Sequence, residues 1–131
     1  MKSDADVRMD VYGIVVASEL KTAINGEVRY IPRKKGSHAE DCIISVLANQ
    51  NGQIQSCFVN VNVYVPNINN GGESVEDVIR TSTLAEICAR VLQSRFGDGF
   101  RFFLDSQRIL AVNGKDEHVI SNKLKYQFNN E

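Results

Sequence analysis

The chain has no tryptophan, only two prolines, only two histidines and an odd three cysteines, and each scarcity narrows what the protein does. A nucleophile–base arrangement needs a Ser or Cys near a histidine held by a third group, yet only His38, in a basic loop, and His118, at the start of a strand, are present. Both read as surface histidines. Cys42, Cys57 and Cys88 lie 15 and 31 residues apart and form no C-x-x-C, so they lack metal-site spacing and read as buried structural thiols in a reducing compartment. The chain also lacks a strong charge of either sign. Fifteen basic and 16 acidic residues leave a net charge of -1, which gives no global field for nucleic acid or an anionic membrane. No apolar run approaches the roughly eighteen residues of a membrane span, and Met1 to Asp10 lacks the layout of a signal peptide. The expectation is a cytoplasmic protein with no membrane partner and an argument against nucleic acid.

Catalytic signatures are missing too. Gly71-Gly72 lacks the Gly-Lys-Ser/Thr of a phosphate loop, and Gly97-Asp98-Gly99 follows a helix pattern rather than a strand. The acid pairs Glu40-Asp41, Glu76-Asp77 and Asp116-Glu117 read as solvation and helix capping. No catalytic, cofactor-binding or metal-binding residue is assigned, and a non-enzymatic role is expected.

What is present is ordinary globular material. In 131 residues, 43% are apolar and 24% charged, enough for one domain over residues 1–131 with its own core. Apolar residues from Ala5 to Asn25, among them Val11, Ile14, Val15, Leu20 and Ile24, recur at helical spacing, with Ser3 or Asp4 as the cap. Gly26 reads as the left-handed residue ending that helix, and Glu27 to Ile31 as a strand stopped at Pro32. Arg33 to Glu40 reads as an exposed loop. Cys42 to Leu47 is a strand that turns at Asn51-Gly52 into the next.

Between Cys57 and Pro66, Val59, Val61, Val63 and Val65 share one face, and Phe58, Asn60, Asn62 and Tyr64 share the other, which is solvated or forms a contact. Asn67 to Glu73 reads as flexible. A second helix is expected from a Ser74 cap to about Phe96, roughly 33 Å long at 1.5 Å per residue. Phe100 to Leu104 and Ile109 to Val112 read as strands, with the three phenylalanines in the core, and Asn113-Gly114 as a hairpin turn. In the last strand His118, Ile120, Asn122, Leu124, Tyr126 and Phe128 face one way, while Lys123 and Lys125 face the other, on a half-exposed edge. The fold expected is α+β, a mostly antiparallel sheet of five to six strands with two long helices on one face.

This layout resembles the tail-completion, or tail-terminator, proteins of long-tailed phages and prophages. The resemblance rests on an N-terminal helix passing through Ala23-Ile24-Asn25-Gly26 into Val28-Arg29-Tyr30-Ile31. It rests also on the strand Val59-Asn60-Val61-Asn62-Val63-Tyr64-Val65-Pro66, and on the long helix and terminal strands that follow. It covers nearly the whole chain. It implies a structural protein forming a homo-oligomeric ring, commonly of six copies, that closes the tail tube and receives the head, in the host cytoplasm and in the virion. On that view Asn60 and Asn62, or the edge near Lys123 and Lys125, lie at subunit contacts, and the Arg33-Lys34-Lys35 loop faces a tail-tube or head-connector protein. The alternative from another class is a stand-alone binding module, using a pocket between helix and sheet for a small ligand or an acidic protein partner.

Overall fold

Ser3 opens the first helix with a capping box: its hydroxyl accepts from the Asp6 amide while the Asp6 carboxylate accepts from the Ser3 amide. In the computed structural model, which describes residues 3–49 and 55–128, this helix, α1, spans Asp4–Val16 and buries Val7, Val11 and Val15 at a spacing of four. The expected continuous helix to Asn25 is interrupted. Ala17 and Ser18 leave helical geometry, the Ser18 hydroxyl caps a separate short α2 (Glu19–Ala23), and Leu20 is buried from there. The break lets the apolar stripe turn onto a second surface.

The strands are β1 (Val28–Arg29), β2 (Cys42–Asn49), β3 (Gln55–Pro66), β4 (Ile68–Asn70) and β5 (Glu73–Val75), then α3 (Val78–Leu92), β6 (Ser94–Gly97), β7 (Phe100–Ala111) and β8 (Glu117–Phe128). Six form one sheet in the order β1-β2-β3-β8-β7-β6, while β4 and β5 form a separate hairpin. The fold is α+β, but the sheet is mixed: β1 runs parallel to β2, because loop 30–41 supplies the dozen or so residues that a parallel crossover requires. The sheet curls. Its opposite edges, β1 and β6, both reach α1, and α3 packs on β7 and β8 from the same side. That inner face holds the core: Val59, Val61, Val63 and Val65 of β3, Ile120, Leu124 and Tyr126 of β8, and Phe102 of β7. Asn122 is fully buried among them and satisfied, donating to the Val61 carbonyl and accepting from Gln107. Cys42, Cys57 and Cys88 are free and buried, and burial pushes the Cys57 thiol up to about 11 and the Cys88 thiol to about 12.

Other expectations change. The second helix is shorter than the pattern implied, about 22 Å at 1.5 Å per residue, because both of its ends are claimed by ladders. Ser74 lies in β5 and Asp77 is the cap, while Ser94 to Gly97 pair with Phe103 to Phe100 as a strand, so Gly97-Asp98-Gly99 turns a hairpin instead of stopping the helix. The stretch at Asn67 to Glu73 is ordered as the β4–β5 hairpin, with Gly71 and Gly72 at positive φ. Gly26 is not left-handed; it is glycine because a Cβ there would run into the Glu40 carbonyl and the Asp41 carboxylate. Phe100 to Ala111 is one long strand with a bulge between Leu104 and Ser106. β8 is central, between β3 and β7, so Lys123 and Lys125 do not guard an edge. The Asn51-Gly52 turn lies outside the described residues.

Candidate interaction surface

The two longer helices, α1 and α3, use the inner face, and among the described residues no helix covers the outer face of the six-stranded sheet, where loop 30–41 overlies only the Tyr64–Glu117 end. Side chains on β3 and β8 alternate strictly, so register decides what meets on that face. Asn60 stands opposite Lys123, Phe58 opposite Lys125, and Asn62 opposite Ser121. From the other side of β8, Phe103 stands opposite Lys125, Ser106 opposite Lys123, Arg108 opposite Ser121, and Arg101 opposite Gln127. On β2, Ile43 and Ser45 continue the Asn62 and Asn60 rows, and Arg29 of β1 stands beside Ile43. Four of the residues singled out from sequence, Asn60, Asn62, Lys123 and Lys125, are therefore brought together in mid-sheet.

The electrostatics of this face are one-sided. The ammonium groups of Lys123 and Lys125 both sit over the Phe58 ring, 4.2 and 4.6 Å from its centroid. A ring face is worth about 0.5–1 kcal/mol to a cation at a partly solvated site, enough to orient a lysine but not to neutralise it. Arg101 donates to the Gln127 side-chain amide oxygen, at 2.8 Å. Among the described residues no carboxylate pairs with Lys123, Lys125, Arg101 or Arg108, and Asp105, exposed at the bulge, enters no ion pair. The Asn62 Oδ1 and the Arg29 Nη1 are buried with no hydrogen-bond partner among the described residues. Each such orphan costs about 1–3 kcal/mol.

The basic loop divides. Arg33 turns inward: its Nε donates to Asp41 at 2.8 Å, its Nη1 to both oxygens of Glu117 at 2.8 Å, and its Nη2 to the Ala39 carbonyl, while the guanidinium lies 4.3 Å from the Tyr64 centroid. Only 13% of that side chain is exposed. Burial would raise the Asp41 carboxyl, but hydrogen bonds from Arg33, Ser37 and the Glu27 amide outweigh it and hold the group below its ordinary value. Beside this cage Glu40 takes two bonds from Arg80, at 2.6 and 2.7 Å, and another from the Asn25 amide. Lys34 is exposed, 3.5 Å from Glu27, and Lys35 is exposed. Arg33 is thus spent on holding loop 30–41 to β8, and the loop offers two lysines where the sequence offered three cations.

Two expectations about chemistry need correcting. His118 is not a surface group: its Nδ1 lies 2.7 Å from the Asn67 Oδ1 and its Nε2 3.9 Å from Glu76, so it clasps the β4–β5 hairpin and the start of α3 to β8. Phe103 is not core but lies beside Lys125 on the outer face, so cations and aromatics do interleave there. The bulge also decides where Arg108 stands. Alternation puts Arg101 with Phe103, but the bulge at Asp105 reverses the parity, so Arg108 joins them instead of facing the core. No cluster of three or more His, Cys, Asp or Glu side chains suited to a metal ion occurs among the described residues.

No protein-family model matches the chain, and no curated protein matches it in sequence. Its fold does match a solved one. The chain is similar to a chain in the structure described as "Virion of native gene transfer agent (GTA) particle", at a TM-score of 0.60 and 10% identity, over 99% of this chain and 100% of that one.

Proposed function

We propose that the protein is a non-enzymatic structural component of a virion, which completes a tail or joins it to a head by assembling into a homo-oligomeric ring. The observation that carries this reading is the helix-free outer sheet face, on which Lys123, Lys125, Arg101 and Arg108 stand with no carboxylate partner among the described residues although the whole chain is nearly neutral. A monomer gains nothing from gathering its unpaired cations on one uncovered surface, whereas an assembling subunit gains orientation and a faster encounter with an acidic neighbour. Fold similarity over the full length of a virion chain supports the reading. Under it, Asn60, Asn62, Lys123 and Lys125 belong to the subunit contact, and the Lys34-Lys35 loop is turned to a tail-tube or head-connector protein.

The test is removal. Cells producing the particle but lacking this chain are expected to accumulate separate heads and tails under negative-stain microscopy, and intact infectious or transferring particles in normal number would refute the role. A binding module is the other reading, but three grooves of this chain are open depressions at its surface, and in the one that gathers charged groups Arg90 and Glu19 pair with each other at 2.8 Å.

A further inference from the structure

A head-to-tail contact needs two different patches on every subunit, and the basic face is only one of them. The other end of the molecule carries a second. There the β4–β5 hairpin and the first turn of α3 frame a groove of about 510 Å³ whose walls are Ile68, Val75, Val78 and Ile79, with Glu76 and Asp77. Val78 is 62% exposed and Ile79 83% exposed, although both begin a helix that goes on to bury Thr81, Leu84 and Ala85. No Lys or Arg lines this groove, and Glu73 is exposed on the adjoining strand.

The basic face has the converse character. Around Lys125 it exposes Phe103, and across β7 the neighbouring row carries Arg101 and Phe96, the latter 74% exposed. One patch is aliphatic and acidic, the other aromatic and basic. They lie at opposite ends of the domain, because Glu76, just before α3, lies beside His118 near the start of β8, whereas Phe96 follows the end of α3 and pairs with Arg101, which stands opposite Gln127 near the end of β8. About 26 Å of strand separates Glu117 from Lys125 at 3.3 Å per residue. The basic face is unsuited to meeting its own copy, since Lys123, Lys125 and Arg108 would then confront like charges.

Resting on the oligomeric reading above, we infer that the groove at the start of α3 receives the Phe103–Lys125 region of a second copy of this chain. The same contact then repeats head to tail, closing a ring where the rotation permits.

The experiment uses the full chain and light scattering across a concentration series. Ile79→Asp spoils the groove and Lys123→Glu with Lys125→Glu spoils the face, so each variant alone is expected at the mass of one chain. Mixed in equal amounts they are expected at the mass of two chains and no more, because one intact groove and one intact face remain. Circular dichroism and urea midpoints check that each is folded, with Ile79→Ser as a milder substitute. If wild type assembles but the Ile79 variants still assemble alike, or if the mixture stays at the mass of one chain, the inference fails and the oligomeric reading stands. A wild-type chain that remains a monomer to millimolar concentration overturns both.

Discussion

Arg33 and the Lys123–Lys125 pair lie on the same side of the same sheet, and they do opposite work. Arg33 is enclosed by Asp41, Glu117 and the Ala39 carbonyl, so each of its three nitrogens donates within the chain and its charge is matched there. Lys123 and Lys125 share one aromatic ring and have no acid among the described residues. Residue type therefore says little about role: a cation in a cage holds a loop, and a cation on a bare face is available to a partner. Substitutions at the two places should separate cleanly into stability and association.

The largest effect is expected at the cage. Arg33→Ala strands two buried carboxylates, and removing one partner of a buried pair costs about 3–5 kcal/mol, which should appear as a large fall in the urea midpoint of unfolding. Gly26→Ala tests how tightly the cage is built against the chain behind it. A methyl there collides with Glu40 and Asp41, and the overpacking should cost about 1–3 kcal/mol in the same measurement.

Acid sharpens the comparison further. Because the folded Asp41 titrates below its ordinary value of 3.8, the unfolded chain binds the extra proton as pH falls through that range. Stability from this group is then fully present above about pH 5 and lost as pH drops below about 4, and Asp41→Asn should flatten part of that acid limb. Smallest in stability is the pair on the face. Lys123→Ala with Lys125→Ala should move the unfolding free energy by no more than about 1–2 kcal/mol, the sum of two ring contacts at about 0.5–1 kcal/mol each, while weakening salt-sensitive self-association.

Legibility in the sequence followed the length scale of the cause. Period-two alternation in Cys57 to Pro66 and in His118 to Phe128 was readable because one face of each strand is dry, and these two strands alone carry four of the residues on the candidate surface. The cap at Ser3 and the spacing of Val11 and Val15 were equally local. What escaped depended on partners distant in the chain. Helix and strand compete at Ser94 to Phe96 on nearly equal propensity, and pairing with Phe103 to Arg101 decides for the strand. Arg33 looked solvated because Glu117, which holds it, is 84 residues away. One extra residue at the bulge, silent in composition, moved Arg108 onto the basic face.

The account stands most directly on whether the unpaired cations serve assembly while leaving the fold alone. The measurement is the mass in solution of Lys123→Glu with Lys125→Glu beside wild type, each with its unfolding midpoint, at low and at high salt. The expected result is a wild type that assembles and loosens with salt, and a variant with a nearly unchanged midpoint at the mass of one chain. A variant that assembles as wild type does would contradict it.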